Sequence, residues 1–181
     1  MKREGEQLVK KCLEKDALAQ KQLFEDYSKR MMGVCLRYSK DAEEAQDVLQ
    51  MGFIKVFEKL GMYNHKGSLE GWIRKIIVNT ALDNIRKNKK LQHNVDIDKV
   101  DYQLHANSET VVEALSAQDL LKVIQSMPTG FKTVFNMYAI EGYSHKEIAE
   151  ELNISVNTSK SQFSRARVYL QKILIKEELI K

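Results

Sequence analysis

A single proline, Pro128, interrupts the 181 residues of this chain. Its apolar side chains recur at intervals of three and four residues and nowhere alternate with polar ones, which constrains the chain to fold as helices. One stripe runs through Leu23, Phe24, Tyr27, Met31, Val34, Cys35 and Tyr38. Another runs through Ala45, Val48, Leu49, Phe53, Val56 and Leu60, and Asp41 stands before it as an N-cap. The segment GMYNHKGS from Gly61 breaks the pattern. A third helix is then predicted from about Leu69 to Lys90, capped by Ser68, with Leu69, Ile73, Ile76, Ile77 and Thr80 inward. Residues 91–109 are rich in Asn, Asp, Gln and His with weak periodicity and read as a linker. Beyond it, Ala117, Leu120, Leu121, Ile124 and Met127 restart a helix that Pro128 stops, and Phe131 to Ile140 form another. The expected class is all-α, with two small helical domains, 1–90 and 110–181, joined by a flexible linker.

Other classes recede on composition. No apolar run approaches the ~18 residues of a membrane span, and the opening MKREGEQLVKKCLEKD is charged where a secretory signal would be apolar. The expectation is a cytoplasmic protein without membrane insertion. Cys12 and Cys35 are too few and too far apart for a disulfide framework or a metal knuckle, and read as buried thiols. The net charge of +4 says little, but its distribution says more. Residues 41–50 carry Asp41, Glu43, Glu44 and Asp47 and no base. Residues 72–90 carry Arg74, Lys75, Arg86, Lys87, Lys89 and Lys90 against Asp83 alone.

The most specific motif begins at Ser144: SHKEIAEELNISVNTSKSQFSRARVYLQKIL. Ser144 and Glu147 have the S-x-x-E spacing of a capping box, in which each side chain satisfies an orphan amide at a helix start. Ile148, Ala149 and Leu152 point inward, and Ala149 is small where a second helix must cross closely. Asn153 tolerates the left-handed conformation of a tight turn, Ile154 plugs that turn, and Ser155 caps the next helix. From Val156 to Lys172 this helix carries Lys160, Arg165, Arg167 and Lys172 and no acid, whereas the helix before it holds Glu147, Glu150 and Glu151 against Lys146. One reading is a helical hairpin with a solvated basic face. The other is a helix-turn-helix whose second helix neutralises phosphates and enters the major groove of DNA.

These residues, with SMPTGFKTVFNMYAIEGYSHKEIAEEL before them, resemble region four of bacterial sigma factors of the extracytoplasmic-function (ECF) type, and the first half resembles region two. The resemblance covers roughly 18–90 and 110–175. It implies core RNA polymerase as partner, with region two on the β′ clamp and region four on the β flap. It also implies promoter DNA, double-stranded at the −35 element and single-stranded at −10. Within the second basic helix the implied −35 contacts are Asn157, Thr158, Lys160, Ser161, Ser164, Arg165 and Arg167. For the −10 element they are Asn64, His65, Lys66 and Ser68 in the loop Met62 to Ser68, with Trp72, Lys75, Asn79 and Arg86 on the helix after it. Catalytic residues, cofactors, metals and small-molecule substrates are not implied. A membrane-linked anti-sigma factor that occludes both domains is a further implied partner.

The residues carry a parallel reading of their own. Asp47, Gln50, Met51 and Ile54 fall on the side of their helix opposite Leu49 and Phe53. Exposed Met51 and Ile54 beside an acid form either a partner surface, adaptable through Met and steered by charge, or scattered surface apolars. By resemblance this face meets the polymerase clamp. Trp72, beside amides and bases, either stacks on an unpaired base or belongs to the core. Asp83 and Arg86 are spaced to form a structural pair one turn apart. His65 reads as a solvated residue, since no second metal-type residue accompanies it. Three positions depart from the commoner family pattern: Ser159 where a small hydrophobic is frequent, Gln162 where Arg is frequent, and Val78 where a base is frequent. Region three is expected to be absent. The rival class, a one-component helix-turn-helix regulator, would need a ligand pocket that the first half does not suggest.

Overall fold

The computed structural model describes residues 2–92 and 117–176, and among these every regular element is helical. The chain divides into two units between Val95 and Asp96. That division lies within the stretch read as a linker, most of which falls outside the described residues. Leu91 and Gln92 still belong to a helix.

The first unit contains α1 (Lys2–Leu13), α2 (Ala17–Tyr38), α3 (Ala42–Lys59), a 3₁₀ turn (Leu60–Met62) and α4 (Leu69–Gln92). Asp16 caps α2 by accepting from the amides of Leu18 and Ala19, and Asp41 caps α3 by accepting from Glu44. Ser68 caps α4 through the Gly71 amide at 3.1 Å. α2, α3 and α4 pack on one another, and the predicted stripes form the core: Leu23, Met31, Val34, Val48, Val56, Leu60, Ile73 and Ile77 are essentially sealed from solvent. Close approach of α3 and α4 is possible because position 52 is glycine. A Cβ there would stand 2.4 Å from Ile77 Cδ1. Cys12 and Cys35 are both buried free thiols, and burial pushes the Cys35 thiol up to about 12.

Two features of this unit go beyond the predicted pattern. α1 was expected only as a charged N-terminus. Val9 and Cys12, with half-buried Leu8, give it a narrow apolar edge that packs against α2. α4 is buried over a wider arc than its predicted stripe, since Val78, Ala81 and Leu82 are core as well. Val78, at 1% exposure, cannot carry the base frequent at its position in the family.

The second unit contains α5 (Ala117–Ser126), α6 (Thr129–Phe135), a π turn (Asn136–Ile140), α7 (His145–Leu152) and α8 (Val156–Lys176). The helix expected from Phe131 to Ile140 begins two residues earlier and ends in this wider turn, closed by the Glu141 amide on the Asn136 carbonyl at 2.9 Å. α8 packs on α5, α6 and α7. Its Ala166 joins Ile124 and Met127 in a core flanked by Phe131, Phe135, Ile140, Tyr169 and Leu170. The Tyr169 hydroxyl donates to the Ser126 carbonyl at 2.9 Å and ties α8 to the end of α5.

Candidate DNA and polymerase interfaces

The local signals from Ser144 onward build the geometry they promise. The capping box at Ser144 and Glu147 is reciprocal. Asn153 takes the left-handed conformation (φ 51, ψ 50) that turns the chain, and Ile148 and Ala149 are buried beneath α8. Ser155 Oγ accepts from the Thr158 amide at 2.9 Å and starts α8. α8 is thereby presented with one buried row, which includes Ser159 and Ala166, and one outward row. Asn157, Lys160, Ser161, Ser164, Arg165, Arg167 and Lys172 are all exposed.

Within that outward set the hydroxyls differ. Thr158 is half-buried, and its Oγ1 shares a 2.9 Å hydrogen bond with Ser155. Ser161 Oγ donates to the Thr158 carbonyl at 3.0 Å. These two shape the helix start, so Asn157, Lys160, Ser164, Arg165 and Arg167 are the side chains freest to meet a groove. Val156, 38% exposed at the helix's first position, lies beside Asn157 and was not among the expected contacts.

The departures from the family pattern acquire physical reasons here. Ser159 is fully buried, and its hydroxyl shares a 2.9 Å hydrogen bond with His145 Nδ1. At this buried position the hydroxyl is tolerated because it finds a partner. His145 also stacks on Tyr138, with ring centroids 4.3 Å apart and planes 14° apart. Burial, and then Lys160, hold its imidazole below the usual value of 6.5. Gln162 is half-buried and packs over Gly130, where a Cβ would meet its Oε1 at 2.6 Å. It therefore does not present an outward polar head in the manner of an arginine. Burial, followed by the carboxylates of Glu151, Glu141 and Glu147, pushes the Tyr143 phenol up.

In the first unit, the loop 63–68 and one face of α4 carry the other set. Asn64, His65, Lys66 and Ser68 are exposed. Trp72 is half-buried and outside the sealed core, and its ring meets Tyr63 at 5.5 Å. Lys75 is exposed. Asn79 is half-buried with its Oδ1 shut off from solvent and unpaired, so the acceptor half of this amide is not offered outward. Arg86 pairs with Asp83 at 2.9 Å, and Asp83 also holds Lys55 of α3 at 3.1 Å. Arg86 thus forms the structural pair, with 42% of its side chain still exposed. Tyr63 lies within the loop Met62 to Ser68 but was not named among the expected contacts, and its ring and hydroxyl contacts with His65, Trp72 and Gly67 were not legible in the sequence.

α3 shows the third surface. Asp47 and Gln50 are exposed, and Met51 and Ile54 stand 44% and 57% exposed on a helix whose opposite side is sealed. Among the described residues no helix is long and apolar enough to cross a membrane, and no group of three or more His, Cys, Asp or Glu is placed to hold a metal ion.

Comparison with known proteins agrees with the two helical units. Residues 23–91 match the family Sigma-70 region 2, and residues 117–170 match the family Sigma-70, region 4. The RNA polymerase sigma-H factor of Pseudomonas aeruginosa is 26% identical over 181 residues, covering 94% of each chain. The ECF RNA polymerase sigma factor SigW of Bacillus subtilis is 27% identical, covering 93% of this chain and 98% of its own. Among solved structures, the sigma factor RpoE in complex with the anti-sigma factor NepR from Bartonella quintana shares the fold. It has a TM-score of 0.53 and 21% identity, and the match covers 85% of this chain and 95% of that one. With both sigma-70 regions in order on the two helical units, and ECF relatives matched along nearly their full length, the chain belongs to the sigma-70 family as an ECF-type RNA polymerase sigma factor that recognises promoters.

Proposed function

We propose that the three exposed surfaces divide the work of promoter recognition among named residues. The observation that carries this reading is α8: one sealed row and one outward row that holds Asn157, Lys160, Ser164, Arg165 and Arg167 without an acid. A helix so polarised suits the major groove, where arginine pairs bidentately with guanine and lysine neutralises phosphate. This row reads the −35 element, with Thr158 and Ser161 shaping the helix start. The loop 63–68, Trp72 and Lys75 hold unpaired bases of the −10 element, because aromatic rings stack on bases while cations follow the backbone. Asp47, Gln50, Met51 and Ile54 dock on the β′ clamp of core polymerase, and the second unit also meets the β flap. The domains are 1–90 and 110–181, with 91–109 between them.

Sigma factors are transcription initiation factors, so on this reading the chemistry is the polymerase's and the chain supplies binding and melting at promoters. Its place of action is the cytoplasm, where polymerase works. The complex of the Bartonella quintana relative with its anti-sigma factor supports a partner of the same kind here. The one-component regulator is not favoured by the region-two match to 23–91. Co-purification separates the two: a sigma factor emerges bound to core polymerase and binds promoter DNA tightly only in that complex. A regulator would bind its operator alone, with affinity unchanged by polymerase.

A further inference from the structure

The loop before α4 is held in one shape by its own residues. The Tyr63 hydroxyl donates to the Gly67 carbonyl at 2.9 Å, and Asn64 Oδ1 accepts from the Lys66 amide at 3.0 Å. Between these bonds, His65 (φ 58) and Gly67 (φ 92) both lie in the left-handed region. Glycine takes that conformation freely, whereas in histidine it is uncommon, though less so than in most side chains. The Tyr63 ring is common to two aromatic contacts, with His65 at 4.7 Å and with Trp72 at 5.5 Å. His65 is exposed, and Tyr63 and Trp72 are half-buried.

We propose that Tyr63 is the positioning residue of this loop. Its hydroxyl latches the loop shut on Gly67, and its ring sets His65 and Trp72 as a preformed stacking surface for unpaired bases, with Lys66 and Lys75 alongside for the backbone. The inference rests on the reading of this loop as a −10 contact. Its physical basis is preorganisation. A loop that must be ordered on binding loses part of the stacking energy to that ordering, and a latched loop does not. The role belongs to the hydroxyl, which phenylalanine lacks while keeping the ring.

The test uses holoenzyme and fork-junction DNA whose −10 segment is single-stranded, taken from a promoter mapped by run-off transcription with the wild-type protein. Tyr63→Phe is expected to weaken fork-junction binding about fivefold, the loss of one net hydrogen bond. Tyr63→Ala should weaken it further. Both should leave affinity for core polymerase and for duplex −35 DNA unchanged, which a general loss of folding would not. If Tyr63→Phe matches wild type while Tyr63→Ala loses affinity, the ring acts directly and the latch is overturned. If both match wild type while His65→Ala and Trp72→Ala lose affinity, the loop still reads −10 and the positioning role is wrong. If all four match wild type, the assignment of the loop to −10 fails and takes the proposal with it. Should Tyr63→Ala not fold, the phenylalanine variant decides alone.

Discussion

Glu44 is the side chain whose removal should most clearly loosen the first unit without opening a cavity. It is the third residue of α3, and its carboxylate works on two fronts. Oε2 accepts from the Lys40 amide at 2.7 Å, while Asp41 Oδ1 accepts from the Glu44 amide at 2.8 Å, so two bonds tie the helix start. Oε1 accepts from Nδ2 of Asn84 at 2.7 Å and of Asn88 at 2.8 Å, both on α4. Hydrogen bonds to a charged acceptor contribute about 1.5–3 kcal/mol each where water is excluded. Glu44 is only half-buried, so about 1 kcal/mol for each amide bond, with about 0.5–1 kcal/mol for the cap, is the appropriate scale. Glu44→Ala should then cost about 2.5–3 kcal/mol. For a unit of this size that lowers its unfolding midpoint by roughly 10–24 °C. Glu44→Gln, which keeps a neutral acceptor, should cost about half as much. Trp72 is the chain's one tryptophan and lies on α4, so its emission follows this unit alone while far-ultraviolet dichroism follows both. A double-mutant cycle with Asn84→Ala should show coupling of about 1 kcal/mol. A loss below ~0.5 kcal/mol for Glu44→Ala, or coupling near zero, would refute the clasp.

Other outcomes follow from the same geometry. Met51→Lys should leave folding intact, since the side chain is already 44% exposed, but weaken core-polymerase binding about tenfold. A collapse of thermal stability with unchanged affinity would mean the face was misassigned. Trp72→Ala should slow open-complex formation on duplex promoters and matter less where the −10 region is already mismatched, and equal loss on both templates would assign the ring to packing alone. Arg165→Ala should cost ~1–3 kcal/mol on the cognate −35 duplex and relax preference at one base. Lys172→Ala should weaken all sequences alike and reduce the salt slope by about one unit, and titrations against cognate and scrambled duplexes at several salt concentrations separate the two. His145, held below 6.5 in the folded protein, binds its proton more readily when unfolded, so its contribution to stability is present above that pH and declines as pH falls through the window beneath it. His145→Gln should flatten the midpoint-against-pH curve below about 6.5 and leave its slope above that unchanged.

What was legible in the sequence was what depends on near neighbours. The capping box at Ser144 and Glu147, the left-handed Asn153 and the cap at Ser155 each need only residues within a turn, and all formed. The core stripes of α2 and α3 were legible because a 3.6-residue period projects onto one face. Contacts between elements were not. Nothing in the spacing joins Glu44 to Asn84 and Asn88, Tyr63 to the Gly67 carbonyl, or His145 to Ser159, because polar side chains pair by orientation and not by period. α1 escaped notice because, among its described side chains, the buried edge is narrow, formed by Val9 and Cys12 with Leu8. The width of the α4 core escaped because α4 packs on both α2 and α3, so that Val78, Ala81 and Leu82 are buried as well and a single stripe is blurred. Resemblance to the family supplied the candidate contacts, and the structure sorted them into outward side chains such as Arg165 and engaged ones such as Thr158 and Arg86.

The central claim, that this chain directs polymerase to promoters of its own, is met most directly by adding the protein to core RNA polymerase on genomic DNA and mapping the 5′ ends of the transcripts. The account predicts a discrete set of start sites absent with core alone, preceded by two shared sequence elements centred near −35 and −10, with Arg165→Ala blurring the first and Trp72→Ala impairing use of the second. No new start sites, or new ones without a shared upstream pair, would contradict it.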